Sequence, residues 1–154
     1  MKKQLLIVAA LTALFTTNAM AQHVDGMIKM KSKYSVSETI DRLANIVKKK
    51  GITVALRWNH SAKANKIGIP MRPTELLVFG NPKLGSYMMT AEQTAAIDMP
   101  LKAIAWKDAK GQVWLGYNSP QYIAKRHHIK DRAKVIKKIS HALATMTHMA
   151  AGIK

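Results

Sequence analysis

The chain has 154 residues, one domain's worth, with 25 Lys and Arg against 8 Asp and Glu and a formal net charge of +17 at pH 7. It has no cysteine, so packing rather than disulfides must hold it together, and its stability is indifferent to redox state. The acids are scattered without a pair suited to glycoside chemistry, and neither a phosphate-cradling glycine loop nor a G-x-S-x-G elbow occurs.

Lys2-Lys3 form a positive n-region, Leu5 to Phe15 an apolar stretch, and Ala19-Met20-Ala21 an A-x-A cleavage site. This pattern predicts a signal peptide over residues 1–21, cut before Gln22, and a single domain over 22–154. The apolar run is too short for a hydrocarbon core of about 30 Å, and Thr16, Thr17 and Asn18 close it. The expected location is a bacterial periplasm. Loss of Lys2 and Lys3 lowers the net charge from +17 to +15, which predicts weak attraction to anionic envelope surfaces. Export makes nucleic acid an unexpected partner.

Met27 to Lys33 reads as a first strand. Ser35-Val36-Ser37-Glu38 is a capping box, and Val36, Ile40, Leu43 and Val47 recur at helical spacing. Lys48-Lys49-Lys50 complements the helix dipole and Gly51 ends the helix. Ile52 to Trp58 alternates as a half-buried strand, with Ile52, Val54, Leu56 and Trp58 on one side. Ser61 is expected to cap a short helix that stops at Gly68. Leu76-Leu77-Val78-Phe79, between Pro73 and Gly80-Asn81-Pro82, reads as a strand inside the sheet, covered on both faces.

Leu84 to Thr94 suits a short helix. Leu101 to Lys107 and Gln112 to Asn118 form a hairpin around Asp108-Ala109-Lys110-Gly111, with glycine where positive φ is needed. Ser119-Pro120 is an N-cap followed by proline at the first helical position. Asp131 is expected to open the last helix, whose core stripe is Val135, Ile139, Leu143 and Met146. Together these elements predict an α+β fold with a mainly antiparallel sheet. Leu77 and Phe79 face away from Leu76 and Val78, so both sheet faces need cover. Residues 62–71 and 84–97, or a homodimer, are the candidates for the second face.

With these elements placed, the chain resembles the domain-of-unknown-function family numbered 302 over roughly residues 26–150. The matching stretches are residues 35–43, Asn59-His60-Ser61, Arg72 to Pro82, Asp98-Met99-Pro100-Leu101-Lys102 and Trp114 to Pro120. The most specific is the Phe79-Gly80-Asn81-Pro82 turn; Met99 departs mildly from the leucine more usual there. The resemblance implies a β-α-β4-α domain of the TATA-binding-protein-like fold class, with helices packed on one face. It carries over no catalytic residue. It does mark four polar positions, His60, Asn81, Asp98 and Tyr117, which lie near strand ends.

These four are the expected ligand-binding residues of a small polar cleft in a non-enzymatic binding or accessory domain, whose partner is a small molecule or a protein. The rival roles are structural: His60 and Asn81 holding turns, Asp98 accepting backbone N–H groups. One alternative is an enzyme that uses His60 and Asp98, with Asp98 fixing the tautomer of the ring. Another is copper handling by thioether and imidazole ligands. Helical spacing leaves only Met27-x-x-Met30 or His148-Met149 for such a site, so no metal or cofactor is expected.

Overall fold

The computed structural model describes residues 24–153; the expected signal peptide and its cleavage site lie outside the described residues. The elements run β1 (Met27–Lys31), α1 (Val36–Lys49), β2 (Thr53–Asn59), α2 (His60–Lys66), β3 (Thr74–Gly80), α3 (Pro82–Ala91), a 3₁₀ segment (Gln93–Asp98), β4 (Leu101–Lys107), β5 (Val113–Asn118), α4 (Pro120–Arg126) and α5 (Ala133–Ala151). The five strands make one antiparallel sheet in the order β1-β5-β4-β3-β2. The protein is α+β, as expected, and β3 lies inside the sheet, paired with β2 and β4.

Local chemistry explains most boundaries. The Ser35 hydroxyl accepts the N–H of Glu38 at 3.2 Å and starts α1. The Asp108 carboxylate shapes the β4–β5 turn by accepting the N–H groups of Lys110 and Gln112, both at 2.9 Å, while Gly111 takes φ +83°. The Ser119 hydroxyl accepts the Tyr122 N–H at 2.9 Å ahead of Pro120, opening α4. Two expected caps move. Asn59, not Ser61, caps α2 by accepting the Ala62 N–H at 2.7 Å. Asp131 does not open α5, which begins after Arg132 without a side-chain cap.

The core lies between one sheet face and the helices. Leu77 and Phe79 of β3, Ala103 and Ala105 of β4, and Leu115 and Tyr117 of β5 meet Ile40, Leu43 and Val47 of α1. Ile139, Leu143 and Met146 of α5 complete it. Each fully buried side chain of this size contributes about 1.5–3 kcal/mol. Arg42 of α1 donates to the carbonyls of Ala150 and Met149 at 3.1 and 3.2 Å, satisfying the negative end of α5.

One strand departs from simple alternation. Val54 is opposite Phe79, but Leu56 is opposite Val78, so a β-bulge at Ala55 reverses the facing of the rest of β2. Arg57 and Asn59 therefore share the face of Leu77 and Glu75. Leu56 and Trp58 turn to the other side, where they stay 46% and 40% exposed. Segment 84–97 does not cover that second face, as α3 and the 3₁₀ segment pack on α5 and α4 instead.

Candidate functional site

The connections of an antiparallel sheet alternate between its two ends, and this decides where the four expected polar residues fall. Asn59 pairs with Glu75 at one end of β3, and Thr53 pairs with Gly80 at the other. His60 therefore sits at one end, while Asn81 lies about 20 Å away at 3.3 Å per strand residue. Asp98 precedes β4 at the Asn81 end, and Tyr117, paired with Ala103, is on the same side. The side chains still diverge. Asn81 caps α3, accepting the N–H groups of Lys83 and Leu84 at 3.0 and 3.4 Å. Tyr117 is buried under α5, where burial pushes its phenol above the usual range despite a hydrogen bond with Thr147. The four residues form no common cleft.

Asp98 does meet a histidine, but it is His127. The ring Nε2 lies 2.7 Å from Asp98 Oδ2, and Nδ1 lies 3.0 Å from the Thr94 hydroxyl. Thr94 in turn donates its hydroxyl and its backbone N–H to Glu92 at 3.1 and 3.2 Å. Those two bonds, led by the backbone one, hold the Glu92 carboxyl below the usual range. Both ring nitrogens of His127 are thus occupied, and the residue is buried. The chain of hydrogen bonds ties the 3₁₀ segment to the end of α4. None of its residues lines the cavity or the cleft described below, and each side chain in it is held by another, which suits cross-linking. The copper alternative through Met27 and Met30 also fails on geometry, because they point to opposite faces of β1.

An apolar concave feature lies elsewhere at the Asn81 end. A cavity of about 330 Å³ opens between α3, α5 and the ends of β2 and β3. Its inner wall is Phe79, Ile139, Leu143 and Met146, each at most 5% exposed. Met89, Met99 and Leu84 flank it, and Ala55, Asn81 and Pro82 stand at its exposed rim. No titratable side chain lines it. The space exists because small residues sit where two helices approach the sheet: Gly85 on α3 and Ala142 on α5. The bulge adds Ala55 to the rim in place of a larger group.

Of the expected residues only Asn81 touches this cavity. The remaining lining residues come from four separated stretches, 52–55, 79–89, 99–101 and 139–146, and two of these carry the Phe79-Gly80-Asn81-Pro82 turn and the Met99-Pro100-Leu101 segment already noted in the sequence. A further signal is the pairing of small residues with thioethers: Gly85 near Met89 in α3, and Ala142 near Met146 in α5. Thioethers adapt to irregular spaces and to varied apolar ligands.

A family model described as "Domain of unknown function DUF302" matches residues 28–146. The "Fluoride-specific ion channel FluC 1" of Brucella suis biovar 1 is 40% identical over 135 residues, which make up 86% of this chain and 53% of that protein. The "Fluoride-specific ion channel FluC 2" of Brucella melitensis biotype 1 is likewise 40% identical over 135 residues, 86% of this chain and 50% of that one. The chain thus spans about half the length of the curated relatives it matches. A crystal structure of an uncharacterized conserved DUF302 protein from Bacillus stearothermophilus superposes with a TM-score of 0.74 at 17% identity, covering 82% of this chain and 99% of the other. That likeness supports the fold alone.

Proposed function

The chain belongs to the DUF302 family, and from that premise we propose that it is an exported binding domain with no reaction of its own. Its ligand is a small molecule whose apolar part fills the cavity between α3, α5 and the β2–β3 end. The observation that carries this reading is the cavity wall itself, apolar throughout its depth and free of titratable groups. Pockets of about 300 Å³ and more, lined mainly by apolar side chains with a few polar groups at the edge, are the usual form of small-molecule sites. General acid–base chemistry needs a titratable group within hydrogen-bond reach of the substrate, and this wall has none to offer.

Export rests on the amino-terminal pattern of two lysines, apolar run and A-x-A site. The relatives named as channels are about twice as long, and the segment shared with them is this domain. Among the described residues no helix is long and apolar enough to cross a membrane. We therefore read the shared segment as an accessory binding domain rather than the conducting part.

Thermal unfolding with and without a neutral probe, 1-decanol, tests the binding reading. A ligand of the folded state alone raises the midpoint with concentration, and that rise is expected. An unchanged midpoint at the solubility limit of decanol would overturn it. Amino-terminal sequencing of protein from a periplasmic extract tests export: a chain starting at Gln22 is expected, and one starting at Met1 contradicts it.

A further inference from the structure

A second cleft adjoins the cavity and shares two of its wall residues, Asn81 and Leu84. Its other lining residues include Lys83 and Tyr87 of α3 and Lys134, Val135 and Lys138 of α5. Lys134 and Lys138 are one helical turn apart, so they stand above each other on one face of α5. Farther along the same side of that helix, Ile139, Ala142 and Met146 line the apolar cavity. On α3, Lys83 faces only the cleft, while Leu84 lines both spaces. Two helices thus present a cationic stretch and an apolar stretch in register, with Asn81 at the junction.

Among the described residues none of Lys83, Lys134 and Lys138 makes an ion pair, and no acid lines their cleft. Three like charges around one concavity repel one another unless an anion joins them. We propose that the ligand is an anionic amphiphile, a single apolar chain with a carboxylate or phosphate head. The chain enters the cavity and the head rests against Lys83, Lys134 and Lys138. This inference rests on the apolar-cavity reading above and adds the charge and polarity of what binds there.

Each buried methylene strengthens binding by about 0.8 kcal/mol, or about fourfold. Affinity should therefore climb with chain length until the cavity is full. Three exposed ammonium groups at the head should add roughly tenfold together, an advantage that salt erodes.

The test is titration calorimetry of the mature chain with decanoate, decyl phosphate, 1-decanol and decyltrimethylammonium, each below its micellar concentration. Decanoate or decyl phosphate should bind about tenfold tighter than decanol, and the stronger of the two identifies the head. The cationic probe should bind weakest. The triple variant Lys83→Gln/Lys134→Gln/Lys138→Gln, altered only at exposed positions, should lose the tenfold and keep decanol binding. Gly85→Leu should lose every probe, because its new side chain fills the cavity while its Cβ meets nothing nearer than Met99 Sδ at 4.0 Å.

Equal binding of the neutral, anionic and cationic probes, unchanged in the triple variant, overturns the amphiphile and leaves an apolar site. No binding of any probe overturns the cavity reading itself. In a parallel arm, Gly85→Leu is mixed with vesicles of anionic phospholipid. Retained vesicle binding that only the lysine variant abolishes, with no probe bound by the unaltered chain, would assign the lysines to a membrane surface and also overturn the proposal.

Discussion

Asp98 Oδ2 and His127 Nε2 lie 2.7 Å apart, and this pair joins the 3₁₀ segment that precedes β4 to the last turn of α4. The Asp98 side chain is 12% exposed and that of His127 is 6%. Removing either partner leaves the other buried with an unmet hydrogen bond, which costs about 1–3 kcal/mol.

His127→Ala should therefore lower unfolding free energy by about 1–3 kcal/mol in urea titrations, whereas His60→Ala should stay within about 0.5 kcal/mol of the unaltered chain. The contrast is informative because His60, at the start of α2, is the histidine that the residue pattern marks. A larger loss for His60→Ala than for His127→Ala would contradict this assignment.

Acid should weaken the fold through the β4–β5 turn. The Asp108 carboxylate accepts the Trp114 indole N–H at 2.8 Å along with two backbone N–H groups. These bonds, led by the one from Trp114, hold its pKa below the ordinary value. The folded state thus binds the Asp108 proton less readily than the unfolded state does. Stability from this group is complete above the unfolded carboxylate value of about 3.9 and is lost as pH falls through the lower folded value. Glu92, held low by Thr94, acts with the same sign. Urea midpoints measured from pH 6 to pH 2 should fall, and Asp108→Asn should make that fall shallower. An identical slope in the variant would remove Asp108 from the account.

Arg57 should prove the main electrostatic tie of β2. Its guanidinium meets the Glu75 carboxylate at 2.8 Å and also reaches Asp41 and the Ser37 hydroxyl. Glu75 is only 5% exposed, and besides Arg57 it takes the Asn59 amide at 3.0 Å. Desolvation works to lower the Arg57 pKa, but Glu75 and then Asp41 outweigh it, so the net shift is upward. Arg57→Met strands a buried carboxylate and should cost about 2 kcal/mol, discounted because the arginine side chain is 35% exposed. Adding Glu75→Gln should recover part of that loss. A double variant as weak as the sum of the singles would show that the two residues do not interact.

Gly85→Leu should raise the stability of the empty protein by about 0.5–1 kcal/mol, measured by urea unfolding. It replaces glycine inside α3 with a strong helix former and fills the adjoining space. A destabilised variant would mean that the site is already tightly packed.

How much of this could be read from residues alone follows their range of interaction. The Ser35 cap, the apolar spacing of α1 and the Asp108–Gly111 turn are local, and each shows in a few adjacent residues. The strand around Leu77 shows because a run with no polar side can only lie inside a sheet. The Ala55 bulge is invisible in that way: the alternation from Ile52 to Trp58 continues through it, and only pairing with β3 reveals the reversal. Asp98 and His127 are 29 residues apart, and nothing beside His127 distinguishes it from His128. The cavity shows only in part: the Phe79 to Pro82 turn on its wall is a motif, but the space itself depends on what Gly85, Ala142 and Ala55 leave unfilled when four separated stretches meet.

The most direct test of the central claim is native mass spectrometry of the mature protein, taken from a periplasmic extract without detergent and compared with Gly85→Leu. The account predicts a unaltered-chain population carrying one small amphiphilic compound that denaturing solvent releases, and a variant that carries none. The same adduct on both proteins, or none on either with no change on adding decanoate, would contradict it.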